Sequence, residues 1–250
     1  MVRCSIAQSA IEPRTTHGVD ANSIGVRCLL NAWFEARALP EHLTMRGVAF
    51  AGWLLVARAL LPPPMIGPYT VHGYAIVSAD DRIAGPDGRM PRELYNDKDW
   101  ARFQAALGRA AVSVLGRLGH EQNVNKLGRN RLVMSSAAQG LEQRPGGLWW
   151  DPADVPVAAA LRAAAPAGGL VVVVGGRRVF DYFLAAGYDE FHLTRMARVL
   201  IPGGVAVFSE VDAGRSADEI LAAHGLASSP GEWLDRDGEV TLAVWKPRAA

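Results

Sequence analysis

Three segments of the chain combine residue types suited to holding a phosphorylated cofactor: Gly116-Arg117, Ser135-Ser136 and Gly175-Gly176-Arg177-Arg178. Each follows a run of mostly branched apolar residues, Val112 to Leu115, Leu132 to Met134 and Leu170 to Val174, the profile of a strand buried on both faces. At Gly175-Gly176 the missing side chains let a pyrophosphate approach the backbone, while the first N–H groups of a following helix supply donors and a positive dipole end. Arg117 adds charge and the two serines add hydroxyl donors. Gly175-Gly176 lacks the full G-x-G-x-x-G pattern and also reads as an ordinary tight turn, and Arg117 alone reads as a solvated helix residue. The coincidence of three such segments at strand ends favours a ligand.

A second chemistry needs a carboxylate, and Asp99 is the main candidate. Phe103 lies one helical turn on, so the acid and the ring project from one face and can flank a flat heterocycle. Asp97 and Asp99 also suit a helix N-terminus simply as acids near the positive end of its dipole. Thr194, after the apolar run Phe191 to Leu193, is placed to reach the same pocket or to be an ordinary strand threonine. His120 and His192 have no partner at metal-ligand spacing, so no metal site is expected. No Ser-His-Asp or Cys-His arrangement is legible.

The elements that must position these groups begin near residue 69. Tyr69 to Ser78 reads as a strand, followed by a loop with Gly85, Pro86 and Gly88. Asn96 or Asp97 can cap a helix to about Leu107. Ala153 to Ala165 reads as an alanine-rich helix with Pro156 in its first turn, Arg178 to Ala186 as a helix stopped by Gly187, and Glu190 to Met196 as a strand. Ser216-Ala217-Asp218-Glu219 is a capping box opening a helix to His224, and Val240 to Trp245 is a closing strand. This alternation predicts an α/β fold with a mostly parallel central sheet and helices on both faces. In such a sheet ligands bind beyond the carboxyl ends of the strands.

Composition bounds the partners. With 26 basic and 25 acidic side chains there is no charge excess to hold nucleic acid or an anionic membrane. Both cysteines, Cys4 and Cys28, precede the regular elements, so no disulfide framework braces the fold and a reducing, cytoplasmic setting fits. Residues 1–66 read as a poorly structured extension and 67–250 as the folded domain, with Met65 a candidate effective start. The apolar stretch Val48 to Leu61 is shorter than the roughly 18 residues of a membrane span.

Taken in order, residues 70–210 resemble dihydrofolate reductase and its relative, the reductase domain of the riboflavin-pathway deaminase-reductase. Ala75-Ile76-Val77-Ser78-Ala79-Asp80-Asp81-Arg82-Ile83-Ala84-Gly85 with Met90-Pro91 is similar to the first strand and mobile loop of that superfamily. Asp99-Trp100-Ala101-Arg102-Phe103 is similar to the substrate-binding helix, and Val114-Leu115-Gly116-Arg117 to the second strand with its cofactor-phosphate arginine. Arg129 to Ser136 resembles the segment carrying a substrate-tail arginine and phosphate-binding serines. Val174-Gly175-Gly176-Arg177-Arg178-Val179 resembles the glycine pair under the cofactor, and Phe191 to Thr194 the strand whose threonine supports the carboxylate.

The resemblance implies an NADPH-dependent reductase of a pterin, with an antiparallel C-terminal strand in the sheet. By it, Asp99 and Thr194 hold the heterocycle, Phe103 packs on it and Arg129 meets its acidic tail. Ala75, Gly85, Met90, Gly116, Arg117, Ser135, Ser136, Val174, Gly175, Gly176, Arg177, Arg178 and Val179 line the cofactor. A small heterocyclic substrate is the expected partner, and a homodimer stays open. Three departures matter. Arg92 stands where the folate enzymes place tryptophan, and the stretch from Pro91 to Asp99 is two residues longer than usual, which leaves Asp97 as a rival acid. Leu200 to Phe208 and Val240 to Pro247 look more like the riboflavin-pathway reductases, whose substrate is a ribitylated aminopyrimidine. A module that binds nucleotide without catalysis is the third reading.

Overall fold

The structure is a computed structural model and describes residues 66–248. The expectations for the N-terminal extension, the Val48 to Leu61 stretch and a start at Met65 lie outside the described residues.

The strands are β1 (Tyr69–Ser78), β2 (Arg82–Ala84), β3 (Val112–Gly116), β4 (Arg131–Met134), β5 (Leu141–Arg144) and β6 (Gly147–Trp150). They continue with β7 (Gly169–Gly175), β8 (Glu190–Met196), β9 (Val205–Ala206), β10 (Leu226–Ser228), β11 (Glu232–Asp235) and β12 (Val240–Pro247). The helices are α1 (Asp97–Arg109), α2 (Arg117–Gln122), α3 (Val157–Ala164), α4 (Arg177–Ala186) and α5 (Ala217–Ala223).

A ten-stranded sheet runs β10-β12-β8-β1-β7-β3-β4-β6-β5, with β11 also paired to β12. From β8 through β6 every neighbour is parallel; β5 and β12 are antiparallel to the strands they flank. The fold is therefore α/β with a mostly parallel sheet and an antiparallel C-terminal strand.

The period-two alternation of the strands divides the core into two layers. On one face Val71, Val77, Val114, Leu132, Val173 and Phe191 pack with residues of α3, α4 and α5. Phe180 and Phe183 of α4 meet Tyr188, Phe191 and Phe208 with ring centroids 5.6 to 6.4 Å apart, each pair adding roughly 0.5–1.5 kcal/mol beyond its buried area. The opposite face holds two smaller clusters, Leu94, Met196, Leu234, Val240 and Leu242 toward β12, and Leu115, Val133, Ala138 and Trp149 toward β6. Helix α1 lies on this second face, which is where the candidate site forms.

Local chemistry sets the boundaries. Asn96 caps α1, its Oδ1 accepting from the N–H groups of Lys98 and Asp99 at 3.1 Å. Ser216 and Glu219 close a reciprocal capping box on α5. The alanine-rich helix starts later than the sequence predicts: α3 begins at Val157 with Pro156 as its extended N-cap. A residue before proline disfavours helical geometry, so Val155 ends a turn built on Asp151, whose carbonyl accepts from the N–H groups of Asp154 and Val155.

Candidate functional site

The first turn of α1 presents three consecutive polar residues in three directions. Asp97 is exposed, Lys98 Nζ donates to the Leu234 carbonyl of β11 at 2.5 Å, and Asp99 turns toward the sheet. There Thr194 Oγ1 donates to Asp99 Oδ1 at 2.5 Å. Thr194 is almost wholly buried on β8, paired with Ile76 of β1 and Leu242 of β12. Burial pushes the Asp99 carboxyl above the usual carboxylate range, against the opposing pull of the Thr194 hydroxyl and the Arg102 charge. Of the two rival acids, Asp99 is the one that reaches Thr194.

One turn along α1, Phe103 meets an aromatic tier. Its ring centroid is 6.1 Å from Tyr74 and 5.8 Å from Trp100, and Tyr74 in turn stacks on His192 at 4.3 Å with the planes 5° apart. Next to Phe103, Gln104 accepts a 2.9 Å hydrogen bond from the Arg129 guanidinium. Arg129 is held on its turn by Asn125, whose side chain bonds both its N–H and its carbonyl. An acid, an aromatic ring and, held by Gln104, a basic group from the Arg129 turn thus follow one another beside α1, over about one and a half turns.

The three strand-end segments converge because β7, β3 and β4 are parallel neighbours. Leu115 pairs with Gly175, and Gly116 with Met134, so Gly116, Ser135 and Gly175-Gly176 share one edge beyond the strand ends. Gly175 adopts φ +109, and a Cβ there would come within 2.7 Å of the Phe180 ring. Gly176, the N-cap of α4, has open space where its Cβ would be. The N–H groups of Val179 and Phe180 already donate to the Gly176 carbonyl, so those of Arg177 and Arg178 are the helix-start donors this edge offers. Val174 is half-buried at this edge, while Val179 is buried in the core.

Several expected contacts are placed otherwise. Ala75 does not face the candidate site: strand alternation puts it in the core layer, and Ile76, beside Thr194, is its counterpart on the Asp99 face. Arg177 pairs with Asp212 at 2.6 Å, a carboxylate it shares with Arg82, so its charge is directed to the Ser209–Ala213 segment. Arg117 lies at the start of α2, where it forms an exposed ion pair with Glu121 at 2.9 Å. The Ser135 hydroxyl accepts from the Ala137 N–H at 3.1 Å and thus shapes its own turn; Ser136 and Arg178 are exposed. The Gly85 loop is folded on itself, with Gly85 N–H donating to the Arg89 carbonyl at 2.8 Å, and Met90 is exposed.

Two groupings are invisible in the linear sequence. Asp81, buried at the end of β1, accepts from Arg195 and from the Ala217 N–H, and Arg195 also pairs with Asp218. This network ties the β1–β2 turn to β8 and to the start of α5. The second overturns the expectation that His192 has no partner at ligand spacing: His72, Glu190 and His192 come together on the α1 face of β1 and β8. Burial lowers His192 to about 4 and depresses His72 as well.

No protein-family model and no curated protein matches the sequence. Among solved structures, the chain is similar to a diaminohydroxyphosphoribosylaminopyrimidine deaminase/5-amino-6-(5-phosphoribosylamino)uracil reductase from Thermotoga maritima, at 15% identity and a TM-score of 0.51. That alignment covers 72% of this chain and 57% of the Thermotoga chain, little more than half of its length. The chain is also similar to dihydrofolate reductase from Enterococcus faecalis, solved with NADP(H) and RAB-propyl, at 18% identity and a TM-score of 0.50, covering 71% of this chain and 95% of that one. With its parallel sheet flanked by an antiparallel C-terminal strand, the described chain has the dihydrofolate reductase-like fold.

Proposed function

We propose that the protein is an NADPH-dependent reductase of a pterin or a closely related aminopyrimidine. The observation that carries this reading is the Thr194 to Asp99 hydrogen bond at the edge of the aromatic tier. A half-buried carboxyl with a raised pKa can hold the amino and ring N–H edge of a flat heterocycle. It can also release a proton as charge develops there. Thr194 fixes the orientation of the carboxyl, and Phe103 offers a ring face to the heterocycle. Arg129, through Gln104, is positioned for an acidic tail.

The dinucleotide fits the strand-end edge by two features of the chain. Gly176 leaves room for phosphate to approach the α4 N-terminus, and Arg117 is engaged only in an exposed ion pair, a partnership worth at most about 1 kcal/mol that a phosphate can replace. When bound, NADPH supplies the hydride; the chain supplies position, proton and exclusion of water. The Gly85 to Met90 turn is the segment available to cover the reacting ring.

A riboflavin-pathway aminopyrimidine is the second substrate reading, favoured by Arg92 in place of a ring residue and by the likeness of Leu200 to Phe208 to those reductases. One assay separates the readings. The full chain is mixed with NADPH and either dihydrofolate or 5-amino-6-(5-phosphoribosylamino)uracil, and absorbance of the reduced nicotinamide is followed. Turnover with the first supports the pterin reading, and turnover with the second alone transfers the assignment. NADPH binding with neither substrate reduced overturns the enzyme reading in favour of a binding module.

A further inference from the structure

We infer that His72, Glu190 and His192 form a binding site for a zinc-class divalent cation beside the proposed heterocycle site. The site is produced by strand register. In the parallel pair β1/β8, His72 lies opposite Glu190, and Tyr74 opposite His192. Alternation puts Glu190 and His192 on one face of β8, two residues apart, and His72 joins them from the next strand. Three ligand-competent side chains therefore share one patch of sheet under α1.

The distances suit an ion. Metal–nitrogen and metal–oxygen bonds of about 2.0–2.1 Å at tetrahedral angles place donor atoms roughly 3.3 Å apart. Glu190 Oε2 is 3.0 Å from His192 Nε2 and 3.8 Å from His72 Nδ1, and the three donor atoms lie within 4.8 Å of one another. The longer separation is too great for a hydrogen bond, and adjustments of about an ångström bring the set to coordination distance. Lys246 holds the other carboxylate oxygen, Oε1, at 2.7 Å, which leaves Oε2 facing both imidazoles. Lys246 is itself more than half exposed, so its ammonium can withdraw into water as a dication enters.

Two histidines and one glutamate match the ligand set of open zinc sites and leave at least one coordination position for water or another donor. The side chains are half-buried, which limits competition from bulk water. A bound cation would cross-link β1 to β8 two residues from Thr194 and fix the His192 ring on which Tyr74 stacks.

The test uses the full chain, stripped with chelator and titrated with Zn2+ by calorimetry, with X-ray absorption of the loaded, unaltered protein. The expected result is one equivalent bound through two imidazoles and oxygen, at least tenfold weaker in Glu190→Gln and in His72→Asn, and unchanged in His224→Gln. Absorption requires no variant, so the test stands even where a substitution impairs folding. Sulfur in the coordination shell, binding indifferent to Glu190→Gln in a folded variant, or no saturable binding overturns the inference. None of these readouts involves reductase activity, so they fail or succeed separately from the proposed function.

Discussion

Thr194 and Asp99 are 95 residues apart in the chain and 2.5 Å apart in the fold, joined by a hydrogen bond in which the buried hydroxyl donates to the carboxylate. The pair joins the central sheet to the first turn of α1. Asp99 also stands in the first turn of α1, where the helix dipole favours an acid, but Thr194 lies among apolar neighbours on its face, Ile76 and Leu242. Under the proposed function, the pair is where stability is exchanged for chemistry.

That exchange has a sign. Because burial raises the Asp99 carboxyl above its ordinary 3.8, the native state holds a proton more tightly than the unfolded chain. The contribution of Asp99 to stability is full below the ordinary value and is lost as pH rises through the folded value. Asp99→Asn is expected to abolish substrate turnover by at least a hundredfold while raising Tm at pH 7, by about 2–4 °C for each kcal/mol recovered. The gain shrinks as pH falls through the folded value and is gone below the ordinary 3.8, which calorimetric melts at pH 7 and pH 3.5 will show.

The strand-end glycines separate folding from binding. Gly175→Ala forces a side chain into φ +109 and against Phe180 and is expected to cost about 1–3 kcal/mol in denaturant titrations. Gly176→Ala meets open space within the protein, and the expected loss is in dinucleotide binding, about tenfold by fluorescence titration.

Arg117 is restrained by Glu121, and releasing it is expected to help the cofactor. Glu121→Gln removes a partner worth at most about 1 kcal/mol, which bounds the gain in NADPH affinity at about fivefold, with NADH unaffected. Equal changes for the two cofactors would contradict a contact between Arg117 and the 2′-phosphate.

Asp81 carries structure rather than chemistry. Asp81→Asn keeps a side chain tolerant of the positive φ of 58° at this position but breaks the ion pair with Arg195. Arg195 retains Asp218 and some water, so the expected cost is about 2–3 kcal/mol, at the low end for buried pairs. Thermal melts will show a fall of about 5–10 °C with cofactor binding unchanged.

Legibility in the sequence followed burial. β1 and β8 were readable to the residue because each is bounded by turn formers and carries apolar residues on both faces. Asn96 announced α1, and the capping box announced α5. The β5–β6 hairpin was not anticipated, since Glu142, Gln143 and Arg144 resemble loop, although Pro145-Gly146, with Gly146 at φ +83, is the signature of a tight turn between strands. In the candidate site, motif order names Asp99 and Thr194, which the fold brings into contact, with Phe103 one turn along α1. Ala75 lies in the opposite core layer, because an offset of one residue in a strand reverses its face. Motif order could not see His72 with Glu190 and His192, because cross-strand neighbours have no fixed separation in sequence.

The central position of β1 has a further consequence during synthesis. It pairs on one side with β7 and on the other with β8, which follow about a hundred residues later. At roughly 5–20 residues per second, an emerging β1 waits on the order of 10 s for its partners, its apolar side chains and backbone donors unmet. Closing such distant pairings makes folding slow relative to locally wired helical proteins. A strand from the interior of the finished sheet is thus the one the nascent chain must shield longest from self-association.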